Sequence, residues 1–186
     1  MNKLFAIAAL AAVVVSTPAF AGSVQFDALN ISPSPAGAKA DDFKVTYTDT
    51  LVGNFGYSIK ASATHAGTTG YVKDAQLLEQ LNVVIPNGPF TGTVSAIYGQ
   101  ERTTTKYASL YGLEGRVTSK TPVDNLTVSV GYRYLDGVNV AGFKANRVEA
   151  STEYDLTKKY AVGAEYFSTT GYSKNNQVGA FVKVKF

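Results

Sequence analysis

The stretch from Gln177 to Phe186 reads QVGAFVKVKF, and it decides the fold of the chain. Side chains of a β-strand point to alternate faces, so apolar residues at every second position place one apolar face on a strand. Phe181 interrupts the alternation and is expected to share the face of the lysines. The pattern predicts an amphipathic strand that ends on an aromatic residue, although an ordinary edge strand would show the same period. Its apolar face carries Val178, Ala180, Val182, Val184 and Phe186.

The first 21 residues, MNKLFAIAALAAVVVSTPAFA, have the pattern of a secretory signal peptide. A lysine precedes an apolar run from Leu4 to Val15, and Ala19-Phe20-Ala21 fits an A-x-A cleavage site. The apolar run is too short to form a membrane-spanning helix. We therefore predict residues 1–21 as a signal peptide and residues 22–186 as one exported domain.

Composition excludes several classes of function. The chain has no cysteine, which excludes a disulfide scaffold, a thiol nucleophile and cysteine-ligated metals. Its formal net charge is only +3 and no basic stripe occurs, so nucleic acid is not an expected partner. After residue 21 no stretch approaches the roughly 20 apolar residues of a membrane helix. If this chain enters a membrane, it must do so as a closed β-barrel.

Period-two alternation continues from Ser23 to the end of the chain, and clusters of Gly, Pro, Asn and Asp interrupt it every ten residues or so, roughly the spacing of antiparallel hairpins. The fourth of the strands is the least regular, because Glu79 shares a face with Leu81. A bulge, or a short helical turn over Ala75 to Gln80, would explain this. The prediction is an all-β, closed antiparallel up-and-down barrel of ten strands, at 23–30, 43–50, 55–64, 77–85, 90–98, 107–118, 126–134, 144–154, 160–168 and 177–186.

The composition of the two faces favours a membrane barrel over a soluble, lipocalin-like one. The polar face consists mainly of Ser, Thr and Gly, whereas a face exposed to water usually carries more lysine and glutamate. Aromatic residues of the apolar face gather near strand ends, which predicts girdles at the two membrane interfaces. One girdle would contain Phe55, Phe90, Tyr154, Tyr160 and Phe186, and the other Phe43, Tyr98, Tyr107, Tyr134 and Tyr166.

The connections between strands alternate in length. Those at 51–54, 86–89, 119–125 and 155–159 are mostly tight turns, whereas those at 31–42, 65–76, 99–106, 135–143 and 169–176 are longer. Bacterial outer-membrane barrels show this asymmetry, with short periplasmic turns and longer outer loops. An even number of strands then places both termini in the periplasm.

With these features the chain resembles the small Gram-negative outer-membrane barrels, the group of the OmpA transmembrane domain, OmpX and the opacity-type proteins. The resemblance implies an outer-membrane location among lipid and lipopolysaccharide, with a monomer favoured. It also implies that the barrel-assembly machinery reads the closing strand through Val182, Val184 and Phe186. Many members of the group have eight strands, so an eight-stranded barrel with residues 22–50 as a periplasmic or plugging segment is the alternative.

No catalytic or cofactor site is expected. The single histidine, His65, is predicted at the outer end of the third strand, where the loop residues Asp41, Asp42, Asp74 and Glu101 could approach it, but no nucleophile, metal or phosphate-binding motif accompanies it. We predict neither an enzyme nor a bound metal or cofactor.

Charged residues on the polar face indicate what the lumen does. Isolated charges in a narrow lumen are costly, so they should pair into a network. We therefore predict a narrow, porin-like or partly plugged barrel that passes ions or small solutes. The alternative is a non-channel surface protein whose outer loops serve adhesion, host interaction or membrane integrity. The charges expected in the network are Lys60, Glu114, Arg116, Arg147, Glu149 and Glu165.

Overall fold

Each strand pairs with the strands before and after it in the chain, and the first pairs with the last to close a barrel. The computed structural model describes residues 22–33, 40–66, 71–103, 107–140, 143–172 and 174–186. In this part of the chain the strands are β1 (Ser23–Pro33), β2 (Ala40–Val52), β3 (Phe55–Ala66), β4 (Tyr71–Asn87), β5 (Phe90–Thr103), β6 (Tyr107–Lys120), β7 (Leu126–Gly137), β8 (Lys144–Asp155), β9 (Tyr160–Gly171) and β10 (Asn175–Lys185).

The ten-stranded prediction is confirmed, and the eight-stranded alternative is wrong. β1 and β2 are part of the wall: Ala28 of β1 lies opposite Phe43 of β2 on one side and Ala180 of β10 on the other. The proposed signal peptide, residues 1–21, lies outside the described residues and stays a prediction.

β4 corrects the sequence interpretation at two points. The strand begins at Tyr71, although residues 71–76 were expected to be loop, and it runs without a helical turn through positions 75–80. Glu79 pairs with Ile59 and Tyr98 in regular register, and the irregularity between β3 and β4 lies at Thr64/His65 instead. The prediction failed because polar residues are tolerated on both faces near the outer end of a strand, so the hydrogen-bond ladder continues where the alternation stops.

Tight turns connect the strands at the end of the barrel where β1 begins and β10 ends. Gly53 and Gly88 have positive φ angles of 56° and 59°, in the left-handed region where glycine carries no steric penalty. These turns allow β2 to continue into β3, and β4 into β5, within two residues. The loop asymmetry predicts that this end faces the periplasm, and we call it the periplasmic end for that reason.

The barrel is apolar outside and polar inside. Leu113 and Val130 are 61% and 60% exposed on the outer face, whereas the inward-facing Glu114 and Glu149 are 5% and 3% exposed. This is the inverse of a water-soluble barrel and is the arrangement of a barrel surrounded by lipid. Among the described residues, no helix is long and apolar enough to cross a membrane.

Candidate pore and lumen site

A group of charged side chains crosses the middle of the lumen, and we call it the charged belt: Asp27, Lys44, Lys60, Glu114, Arg116, Arg133, Arg147, Glu149 and Glu165. Lys60 of β3 reaches over two strands to Glu114 of β6, with Nζ 3.1 Å from Oε2. Gln80 Nε2 also donates to Glu114, at 3.2 Å. Arg116 Nη2 lies 3.5 Å from Glu114 Oε1 and donates a short hydrogen bond to Glu149. These contacts join four of the predicted residues, Lys60, Glu114, Arg116 and Glu149, in one network.

A second group lies on the β1, β2 and β9 side of the belt. Lys44 Nζ is 3.0 Å from Glu165 Oε1 and 3.6 Å from Asp27 Oδ1, and it sits 4.5 Å from the centroid of the Phe167 ring. Asp27 also accepts a hydrogen bond from Gln25 Nε2 at 2.5 Å. Glu165 therefore pairs with a lysine outside the predicted set, and one ammonium group serves two carboxylates.

Arg147, the sixth predicted residue, forms no ion pair within the described part of the chain. Its Nε donates to Thr169 Oγ1 at 3.1 Å, and its guanidinium carbon lies 5.1 Å from the centroid of the Phe167 ring. The sequence interpretation also missed Asp27, Lys44 and Arg133 as lumen charges. The period-two pattern contained the signal, because all three share the polar face of their strands.

A polar cavity of about 570 Å³ extends from the periplasmic turns to the charged belt. Its lining begins at Gly53 and Asn54 in the β2–β3 turn and ends among the belt residues. Hydroxyl groups line part of its wall, and some bond one another, as those of Thr118 and Ser129 do at 2.8 Å. Such a surface can exchange hydrogen bonds with water and with polar solutes. The hydroxyl-bearing residues of this periplasmic vestibule include Thr46, Thr48, Ser58, Ser95, Thr118 and Ser129.

Lysines at the periplasmic rim are paired. Lys183 Nζ and Lys185 Nζ each lie 2.8 Å from a carboxylate oxygen of Glu153, and Lys185 also bonds Asp155. The rim of the vestibule therefore presents cations and anions together.

The outer half of the lumen is narrowed by apolar side chains. Leu78 and Leu110 are fully buried, and Phe143, from the connection between β7 and β8, is 3% exposed. The sequence analysis did not predict this cluster, because its members come from four strands and one connection that meet only in the closed barrel. We call it the outer constriction, and it consists of Leu78, Ile97, Ala108, Leu110, Leu135 and Phe143.

Hydrogen bonds fasten the β7–β8 connection to the wall. Val138 N donates to Ser109 O at 2.9 Å, and Ser109 N donates to Asn139 Oδ1 at 2.8 Å. Gly137 N donates to Phe143 O at 3.0 Å, and the Phe143 ring lies 4.5 Å from the Tyr172 ring, centroid to centroid. These contacts hold Phe143 inside the mouth of the barrel.

The predicted girdle residues lie on the outer face. The group of Phe55, Phe90, Tyr154, Tyr160 and Phe186 lies at strand ends, whereas Tyr98 and Tyr166 of the other group lie well inside β5 and β9. All ten are exposed except Tyr134, which is half-buried and donates from its hydroxyl to Asp136 Oδ2 at 2.8 Å. Tyr166 donates similarly to Asn176 Oδ1, at 3.4 Å. Of the closing-strand residues, Val182 and Phe186 are exposed and Val184 is half-buried. Phe186 and Gly22 exchange two backbone hydrogen bonds, at 3.0 and 3.1 Å, which complete the seam between the first and last strands.

Nothing in the described residues suggests a metal centre, since they contain no group of three or more potential His, Cys, Asp or Glu ligands. The histidine that sequence reasoning weighed, His65, has a side chain outside the described part of the structure.

Comparison with known proteins gives structural matches alone. No protein-family model and no curated protein sequence matches the chain. The solved NanC porin is 10% identical with a TM-score of 0.50, covering 88% of this chain and 98% of its own. The KdgM porin is 14% identical with a TM-score of 0.49, covering 87% and 99%. OmpT of Vibrio cholerae is 14% identical with a TM-score of 0.45, covering 80% and 57%. At 10% identity the likeness to the NanC porin shows only the fold, a closed antiparallel β-barrel of the kind found in that porin.

Proposed function

We propose that the protein is a narrow, partly plugged channel that passes ions or small polar solutes across the outer membrane. The observation that carries the proposal is the hydroxyl-lined vestibule of about 570 Å³, which leads from the periplasmic turns to the charged belt. A barrel with a purely structural interior needs no cavity of this size. Because the vestibule reaches the turns at the end of the barrel, it would admit water and small solutes as far as the charged belt.

The outer constriction sets the expected size of the current. Apolar side chains that fill a narrow passage exclude water, and such passages conduct only when they open. Conductance should therefore be small and intermittent, and displacement of Phe143 should be the step that opens the path.

Location and partners belong to the same proposal. The secretory pattern of residues 1–21 and the closing strand ending at Phe186 support export and insertion by the barrel-assembly machinery. The exposed aromatic girdles support contact with outer-membrane lipid and lipopolysaccharide. Kinship with the OmpA, OmpX and opacity-type group rests on the closing strand, and the ten-stranded wall would make this chain a wider member. We propose no catalytic activity.

A second candidate is a surface protein without a channel. The outer constriction favours it, because buried Leu78, Leu110 and Phe143 close the outer half of the lumen. In that case adhesion, host interaction or membrane integrity would depend on the outer loops.

Conductance of the refolded protein in planar bilayers separates the two candidates. Discrete steps of current that appear only when folded protein is added, and not when the protein is prevented from folding, would support the channel. Folded barrels are heat-modifiable, which means that their mobility on gels changes after boiling. If wild type and Phe143→Ala are both folded by this test and neither gives current steps in the bilayer, the surface protein is favoured.

A further inference from the structure

Arg133 of β7 and Arg147 of β8 lie directly opposite each other in register, and both side chains line the inner end of the vestibule. Arg133 is 5% exposed. Two guanidinium groups on neighbouring strands repel each other, and the repulsion grows where water is scarce. A negative charge beside the two arginines would therefore stabilise this arrangement.

The other cations of the charged belt have such a charge. Lys44, Lys60 and Arg116 each lie within 4.0 Å of at least one carboxylate oxygen. Neither Arg133 nor Arg147 has a carboxylate within that distance among the described residues. The two arginines are thus the exceptions in a belt that otherwise pairs its cations.

Neighbouring carboxylates are already engaged. Glu114 is the register partner of Arg133 on β6, but its oxygens contact Lys60, Gln80 and Arg116. Glu149 accepts from Arg116. On this side of the charged belt, these two carboxylates are surrounded by four cations, Lys60, Arg116, Arg133 and Arg147. The belt residues on this side therefore carry more positive than negative charge.

Two further carboxylates face the same region from the outer side. Asp42 accepts a hydrogen bond from Thr64 at 3.4 Å, and Glu101 accepts one from Gln76 at 2.7 Å. Both bond neutral side chains, and within the described structure neither lies within 4.0 Å of a cationic nitrogen. With them, this side of the lumen holds four carboxylates against four cations, but Asp42 and Glu101 leave the guanidinium donors of Arg133 and Arg147 unoccupied.

Arg147 is held in place by two neighbouring side chains. Its Nε is fixed by Thr169 and its plane lies near the Phe167 ring, while its terminal nitrogens make no hydrogen bond to a described residue. A guanidinium group offers parallel N–H donors that match the two oxygens of an oxyanion. Side chains that are immobilised in advance lose less entropy on binding.

We propose that Arg133 and Arg147 together bind a small oxyanion, of the carboxylate, sulfate or phosphate class, at the inner end of the vestibule. This site would determine the class of solute that the proposed channel carries, so the inference rests on the proposed function. Binding itself needs no conduction, because the vestibule opens to the periplasmic side of the closed constriction. A failure of the channel proposal and a failure of this one can therefore be told apart.

Sulfate is the probe, titrated calorimetrically into refolded protein in uncharged detergent at constant ionic strength set with chloride. Arg133→Gln and Arg147→Gln should each weaken sulfate binding about tenfold or more, because each removes half of the donor set. Lys183→Gln removes one positive charge from an ion pair at the rim, and should change binding less than about twofold because rim charges are screened. Heat-modifiable mobility of each variant verifies that the barrel is folded.

Several results would overturn the proposal. If wild-type protein binds no sulfate at concentrations up to about 10 mM, where even a very weak site would be occupied, the protein has no such site. Equal loss of affinity in Lys183→Gln and Arg133→Gln would mean that sulfate responds to net charge alone. If one arginine variant fails to fold, the other decides the outcome. Bilayer conductance, measured separately, tests the channel.

Discussion

Leu135 of β7 lies directly over Gly112 of β6 on the inner face of the barrel. A β-carbon at position 112 would lie 2.8 Å from Leu135 Cδ2 and 2.0 Å from the Tyr134 carbonyl oxygen. The same relationship joins Leu78 to Gly99, Leu29 to Gly179 and Phe181 to Gly163, each pair directly opposite in register. The absent side chain of each glycine makes room for a bulky apolar residue that narrows the lumen.

Replacing Gly112 by alanine should therefore destabilise the barrel. The added methyl group meets backbone as well as the Leu135 side chain, and overpacking of this kind costs about 1–3 kcal/mol. Gly115→Ala is the matched control on the same strand, because a β-carbon there meets nothing within 4 Å. Urea unfolding in lipid vesicles measures both variants. Equal midpoints for the two would show that the glycine positions are not packed as described.

Phe143→Ala should open the outer constriction. Phe143 is the member of the cluster contributed by the β7–β8 connection, and its removal leaves Leu78, Leu110 and Leu135 without a cap. We expect larger or longer conductance steps in planar bilayers, since a wider and wetter passage conducts more readily. Val138→Ala, which is in the same connection but 67% exposed, should leave the steps unchanged.

The sequence was sufficient for the wall but insufficient for the interior. Alternation such as that from Leu126 to Tyr134 identifies a strand and its two faces, because the period of two is a local property of the backbone. Which inward residues meet depends on the closure of the barrel: Lys60 and Glu114 are 54 positions apart in the chain. The outer constriction was missed for the same reason. Leu78 and Leu135 fit into the lumen because they lie opposite Gly99 and Gly112, and this pairing between strands cannot be read from one strand alone.

Removing Glu149 alone should cost more stability than removing Glu149 and Arg116 together. Glu149 accepts from Arg116, and its loss leaves a cation that only Glu114, 3.5 Å away and shared with Lys60, can balance. An uncompensated charge or donor in a poorly hydrated site costs about 1–3 kcal/mol. Urea unfolding of Glu149→Ala, Arg116→Ala and the double variant forms a double-mutant cycle that measures the coupling. Strict additivity of the two single changes would mean that the pair contributes no coupling energy in the folded barrel.

Phe186 and Phe181 allow assembly to be separated from stability. Phe181 is 4% exposed and packs inside over Gly163, whereas Phe186 is 41% exposed at the end of the outer face. Phe181→Ser should lower the free energy of unfolding of the refolded barrel by about 3 kcal/mol, as loss of a buried aromatic ring does. Phe186→Ser should have the smaller effect on that stability, because its ring is much less buried than that of Phe181. In cells the order should reverse, with Phe186→Ser delaying the appearance of the heat-modifiable form, if the assembly machinery reads the closing strand. Assembly that is slowed equally by both substitutions would indicate that folding stability alone limits insertion, and that Phe186 carries no separate signal.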